Sequence, residues 1–341
     1  MGGKVIFTEK PRNDIDNIFD RDDEINTIKK VIDTGDWLAI LGPRMIGKTS
    51  IAKAILNEYK KEYNPIYIDF TGIKSYNDAI NKIFHAIPRS LIDKLKDNFA
   101  GVGINIMGNS ITFNRRFKDT DIIKALLTLL KKSIIVLDEF QELSFGVNHF
   151  INMLHNIMME NNNTVFIFTG SSIGVMKTLL EQKGKSPLAG RNPVNIVLNP
   201  WNRTTAMTYL RTGLASCNVS VNDRELGEVI DETGTITGWL NFYGKRRCIE
   251  NHEDALRDSL DEAINVAKYE IGNIVGQSKW RKTVLKMMAF GSNYNTMLQE
   301  SHVSTSTLSN FLHRLEKLYV IRHDGKAYYV VDNIYRKAIL V

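Results

Sequence analysis

A chain of 341 residues that is 43% hydrophobic and 24% charged is long enough for about two or three packed domains. No stretch approaches the roughly 18 uninterrupted apolar residues of a membrane span, and the opening MGGKVIFTEK has no apolar leader core, so a cytoplasmic location with no membrane partner is expected. The net charge is +6, and from Lys279 onward ten Lys/Arg stand against four acids, which is the whole excess and directs a polyanion partner to that end of the chain.

The first informative segment is WLAIL (37–41), an apolar run, followed by GPRMIGKT from Gly42 to Thr49 and a helically spaced stretch, SIAKAILNEYKKEY (50–63). Two glycines, a lysine and a hydroxyl at this spacing form a phosphate-binding P-loop. Gly42 and Gly47 let backbone N–H groups turn inward, Lys48 reaches the outer phosphates, and Thr49 offers oxygen to Mg²⁺. Pro43, Arg44 and Ser50 complete the cradle, whose anion would meet a helix N-terminus. PIYIDF (65–70), SIIVLDEF (133–140), TVFIFTG (164–170) and NIVLNP (195–200) are further apolar, β-rich runs alternating with helical patterns. That alternation predicts an α/β fold, a parallel sheet with helices on both faces. GVGINIMGNSITFNRRF (101–117) interrupts it with a predicted hairpin turning at Gly108-Asn109.

A strand ending in Asp138-Glu139 supplies carboxylates where the P-loop opens. Asp138 is assigned to Mg²⁺ and its waters, Glu139 to polarising the attacking water. Thr169, or failing it Ser171 or Ser172, ends the neighbouring strand, either to sense the γ-phosphate or to cap the next helix. Arg191, in SPLAGR, is the candidate cation for the γ-phosphate. The only cysteines, Cys217 and Cys248, are far apart and join no Cys/His cluster, so neither a zinc site nor a disulfide is expected.

Residues 200–278 read as a small helical domain, with Trp239 assigned to its core. From 279 the pattern gives three helices and a hairpin turning at Asp324-Gly325, the order of a winged helix-turn-helix. Its third helix, STSTLSNFLHRLEKL, buries Leu308, Phe311, Leu312 and Leu315. Thr305, Thr307, Ser309 and Asn310 are left for base edges, and Arg314 and Lys317 for phosphates; Arg322 and Lys326 would act from the wing. Duplex DNA is the expected partner, and a protein partner is the alternative.

IFDRDDEI, GPRMIGKT, IIVLDEFQEL, FIFTGSSIGVM, SPLAGR, LNPWNRTTAMTYL and TGTITGWLNFYG stand in this order along the chain. In this it resembles the archaeal ATPases of the STAND branch of AAA+ proteins and, at fold level, the archaeal origin-recognition initiator ATPases. The resemblance implies an ATP/ADP and Mg²⁺ site on residues 1–199, a helical lid at 200–278 and a winged helix at 279–341. It places Phe19 and Arg21 near the adenine and matches Arg191 to a Gly-Arg position near the γ-phosphate, acting in its own chain or in trans in an assembly. The chain departs from the family in having no proline between Gly234 and Trp239.

Overall fold

A computed structural model of the chain describes residues 7–89, 104–107, 110–113, 132–143, 150–152, 154, 164–171, 176 and 193–341. Strands β1 (Leu38–Leu41), β2 (Asn64–Asp69), β5 (Ser133–Asp138), β6 (Thr164–Gly170) and β7 (Val194–Val197) form one sheet in the order β2-β5-β6-β1-β7. Every pairing in it is parallel. Both faces of the central strands β1, β5 and β6 are covered, which is why these read as apolar runs. Leu38, Ile40, Val136 and Ile167 pack with residues of α1 (Asp22–Thr34) and α2 (Lys48–Tyr59). Ala39, Leu41, Leu137 and Phe168 face Ile80, Ile83 and Phe84 of α3 (Tyr76–Ala86) on the other side. The five predicted strands are thus the five observed. The predicted hairpin is β3 (Ile104–Met107) antiparallel to β4 (Ser110–Phe113).

Four helices follow: α4 (Arg203–Ser216), α5 (Asp223–Thr233), α6 (Thr237–Arg247) and α7 (His252–Val275). Asn202, Asn222 and Asn251 start α4, α5 and α7, each side chain accepting from the backbone N–H three residues on, the satisfaction a helix start needs. Trp239 is 1% exposed and lies in the core, as read from the sequence. The cysteines correct the sequence reading. Cys217, just beyond α4, and Cys248, just beyond α6, form a disulfide with Cα atoms 5.7 Å apart. A separation of 31 residues carries no sign of proximity; the packing of α4 on α6 creates it.

The last segment contains α8 (Lys279–Ala289), α9 (Tyr294–Ser301), α10 (Thr305–Lys317), the antiparallel pair β8 (Ile321–His323) and β9 (Tyr328–Val330), and a final helix, α11 (Asn333–Leu340). Sequence reading did not find α11. Its Ile334, Tyr335, Ala338 and Ile339 are buried in a core that runs without a break from the sheet through α7 into this segment. Leu308, Phe311, Leu312 and Leu315 are the buried stripe of α10, and Ser304 is its N-cap, with the N–H of Thr307 donating to its Oγ at 3.2 Å.

Candidate active site

The P-loop joins β1 to α2. Gly47, the residue before α2, has φ +101°, a backbone state that L side chains rarely adopt and glycine adopts freely. Lys48 is 4% exposed. Its Nζ donates to the carbonyls of Gly42 (3.1 Å) and Pro43 (2.9 Å), so the ammonium sits on the loop that would wrap an anion. Burial lowers its pKa, against the opposing pull of Glu139 and Asp138; those carboxylates keep a cation tenable there.

Asp138 ends β5 beside this loop and is 2% exposed. Its Oδ2 accepts from Thr49 Oγ1 at 2.9 Å and from the Tyr67 hydroxyl. Its Oδ1 accepts from Thr169 Oγ1 and, at 3.1 Å, from the backbone N–H of Glu139. That N–H also points to Thr169 Oγ1 at 3.2 Å, so Thr169 is fully buried with its hydroxyl committed to Asp138. Ser171, two residues on, reaches Glu139 instead: its Oγ donates to the carboxylate at 3.1 Å, and Gln141 Nε2 donates to the same oxygen. A hydroxyl beside a buried carboxylate, both oxygen donors, suits a hard cation such as Mg²⁺. Thr49 would hold it, oriented by Asp138 through their hydrogen bond. Among the described residues no cluster of three or more His, Cys, Asp or Glu forms another metal site.

A cavity of about 310 Å³ opens from Gly47, Lys48, Thr49 and Ser50, with Glu139 on its wall, toward Phe19, Arg21, Trp201 and Tyr209. Phe19 meets Trp201 and Tyr209 edge-on at 5.6 and 5.2 Å. The Arg21 guanidinium, 5.6 Å over the Trp201 ring, is bound to Glu24 at 2.9 Å and to the Asn199 carbonyl at 2.8 Å. The apolar, aromatic end suits a flat base and the loop end a polyphosphate. Sequence reading missed Arg12, Tyr209 and Asn241 on this wall. Arg12 donates to the Tyr209 hydroxyl at 3.0 Å, and Tyr209 donates to Asn241 Oδ1 at 2.6 Å. They come from three separate segments, and only folding aligns them.

Helix α6 touches the loop directly. The N–H of Gly238, in the first turn of α6, donates to the Met45 carbonyl at 2.9 Å, and a Cβ at Gly238 would come within 2.6 Å of Met45. Only glycine permits that approach. Arg44 pairs with Glu270 of α7 at 2.7 Å, and the Tyr335 hydroxyl of α11 donates to the other Glu270 oxygen. Trp239 Nε1 donates to Asp332 Oδ2 at 2.8 Å, while Asp332 Oδ1 caps α11. Two polar links therefore run from the P-loop and α6 to the start of α11.

Of the other sequence-predicted residues, Ser172 and Arg191 lie outside the described residues. Thr305, Thr307, Ser309, Asn310, Arg322 and Lys326 are exposed and Lys317 is half-buried. Ser309 Oγ is 2.9 Å from the Tyr294 hydroxyl. Arg314 is also exposed, one helical turn after Asn310 on α10, and it borders a cleft shared with Pro43, Arg44 and Glu270.

A family model described as an ATPase domain predominantly from Archaea matches residues 18–241. No curated protein is detectably similar in sequence. Among solved structures, a Walker-type ATPase of Pyrococcus abyssi is similar with TM-score 0.81 and 22% identity, over 98% of this chain and 99% of that one. The ORC2 protein of Aeropyrum pernix, solved as ADPNP-ADP complexes, gives 0.62 and 15%, over 98% and 97%. A point mutant of the RuvB protein of Thermotoga maritima gives 0.51 and 13%, over 96% and 97%. At these identities the structures support the fold alone, but the family match spans more than half of the sequence. The chain therefore belongs to the ATPase domain family found predominantly in Archaea.

Proposed function

We propose that this protein binds ATP with Mg²⁺, hydrolyses it slowly, and uses its nucleotide state to set the position of a C-terminal winged helix that binds duplex DNA. The observation that carries the catalytic part is the meeting of Lys48, Thr49 and Glu139 at one end of a single cavity, with the buried Asp138 behind them accepting from the Thr49 hydroxyl and the Glu139 N–H. Bound Mg²⁺ would neutralise phosphate charge. The chain's own residues do the rest. The loop N–H groups and Lys48 hold the phosphates, the aromatic end excludes water around the base, and Glu139, aimed by Ser171 and Gln141, takes up a proton from the attacking water.

Support for the switching part comes from the Arg44–Glu270–Tyr335 and Trp239–Asp332 links. Arg44 belongs to the phosphate loop, so an added γ-phosphate competes with Glu270 for its guanidinium. Release of Glu270 loosens the hold on Tyr335. Support for DNA is the charge excess beyond Lys279 and the exposed polar face of α10. The deciding experiment is ATP hydrolysis by the purified protein with and without duplex DNA at two salt concentrations. DNA stimulation that fades with salt is expected. Turnover indifferent to DNA at low salt would hand the C-terminal segment to a protein partner, as in a STAND-type regulatory switch. Arg191 would complete the site, in its own chain or from a neighbour in an assembly. Recovery of turnover on mixing Lys48→Ala with Arg191→Ala protein would place it in trans, and no recovery in cis.

A further inference from the structure

Asp138 receives hydrogen bonds on every side, from Thr49 and Tyr67 on Oδ2 and from Thr169 and the Glu139 N–H on Oδ1. A carboxylate offers about four acceptor positions, so this one is saturated. Three of the donors belong to segments already placed in the site; Tyr67, on β2, does not. It stands beside Val136 in the parallel register, and Asp138 is two residues further along the same face of β5. The long tyrosine side chain spans that diagonal. Its ring is held from the other side by Lys53 of α2, whose ammonium lies 4.6 Å from the ring centre, one helical turn after Thr49. The tyrosine is thus clamped between the phosphate-loop helix and the sheet, with its hydroxyl on the aspartate.

We infer that Tyr67 is a positioning residue for the metal-binding pair: by occupying Oδ2 with Thr49, it fixes the aspartate so that the Thr49 hydroxyl points its proton at Oδ2 and keeps a lone pair for the cation. This rests on the Mg-nucleotide reading above. With its acceptor positions filled, Asp138 acts on the metal through Thr49. Outer partners of this kind hold first-contact ligands in orientation, and their loss weakens metal binding while sparing the remainder of the site.

The test is Mn²⁺ binding to the ADP complex of the full chain, read from the electron paramagnetic resonance signal of free Mn²⁺, with ADP affinity measured in parallel in excess chelator. Tyr67→Phe removes only the hydroxyl. It should weaken Mn²⁺ binding by about tenfold, the lower end of the cost of losing such a partner, and leave metal-free ADP affinity unchanged. In an Asp138→Asn background the same substitution should add little, because the two act through one carboxylate. Wild-type Mn²⁺ affinity in Tyr67→Phe would overturn the inference. So would a parallel fall in metal-free ADP affinity or loss of the fold, either of which would make the hydroxyl a structural prop. If the wild type itself binds neither ADP nor Mn²⁺, the nucleotide reading fails instead.

Discussion

Lys48 and Glu139 lie on the same cavity wall yet are built for different steps. Lys48 meets ground-state phosphates, so Lys48→Ala should lose nucleotide binding and turnover together. Glu139 acts on water, so Glu139→Gln should bind ATP as the wild type does and turn over at least about tenfold more slowly. Isothermal titration beside a phosphate-release assay separates the two; undiminished turnover in Glu139→Gln would remove it from the chemistry. Asp332 makes a second residue-scale case. Burial raises its pKa above the ordinary 3.8 and the Glu270 charge adds to that, while the donors from Trp239, Tyr335 and Ile334 pull it down. The folded state therefore keeps this proton longer than the unfolded one. The stability it contributes is complete below the ordinary value and is lost as pH rises through the folded value. Asp332→Asn keeps an acceptor for the α11 cap and abolishes the titration. Relative to wild type it should gain stability as pH rises above the ordinary value of 3.8, measured by urea unfolding; a constant difference would show that the carboxyl does not carry the slope.

Among the elements, helices α4 to α7 illustrate how a local pattern and a distant contact divide the work. The asparagine caps of α4, α5 and α7 could be read in place, since a cap acts on the turn that follows it. The Cys217–Cys248 link could not be read. Closing a loop of 31 residues stabilises a fold by about 3 to 4 kcal/mol in the chain-entropy account. Reducing the pair, or replacing Cys217 with serine, should lower the thermal midpoint. ADP affinity at room temperature should persist, because neither cysteine borders the cavity. A midpoint indifferent to reductant would rule the disulfide out as a clamp on α4 and α6. Helix α11 belongs to the same class of surprise: eight residues are too few to form a stable helix alone, and its stability comes from packing on α7.

For the whole molecule, the unbroken core from the sheet to α11 means that the C-terminal segment cannot be cut away without uncovering α7. Point variants are therefore the cleaner probe of DNA binding. Lys317→Ala, Arg322→Ala and Lys326→Ala should each weaken duplex binding regardless of sequence and reduce the salt slope by about one, the signature of a phosphate contact. Fluorescence anisotropy across a salt series measures both quantities. Slopes unchanged in all three variants would remove this face from the DNA reading.

The P-loop, the strand that ends in Asp138-Glu139, the five apolar strands and the buried stripe of α10 were all determined by the sequence itself, because each depends on residues within a few positions of one another. A glycine spacing, an apolar run and a helical period are local facts that any packing must respect. Only the tertiary structure decided that Tyr67 and Thr169 share Asp138, that Ser171 aims Glu139, and that Arg12, Tyr209 and Asn241 line the cavity. It also decided that Arg44 reaches α11 through Glu270 and that the cysteines meet. These are contacts between segments tens to hundreds of residues apart in the chain. Hydroxyls, amides and single charges make them without leaving a periodic mark on the sequence, and they exist only once hydrophobic burial has brought the strands and helices together.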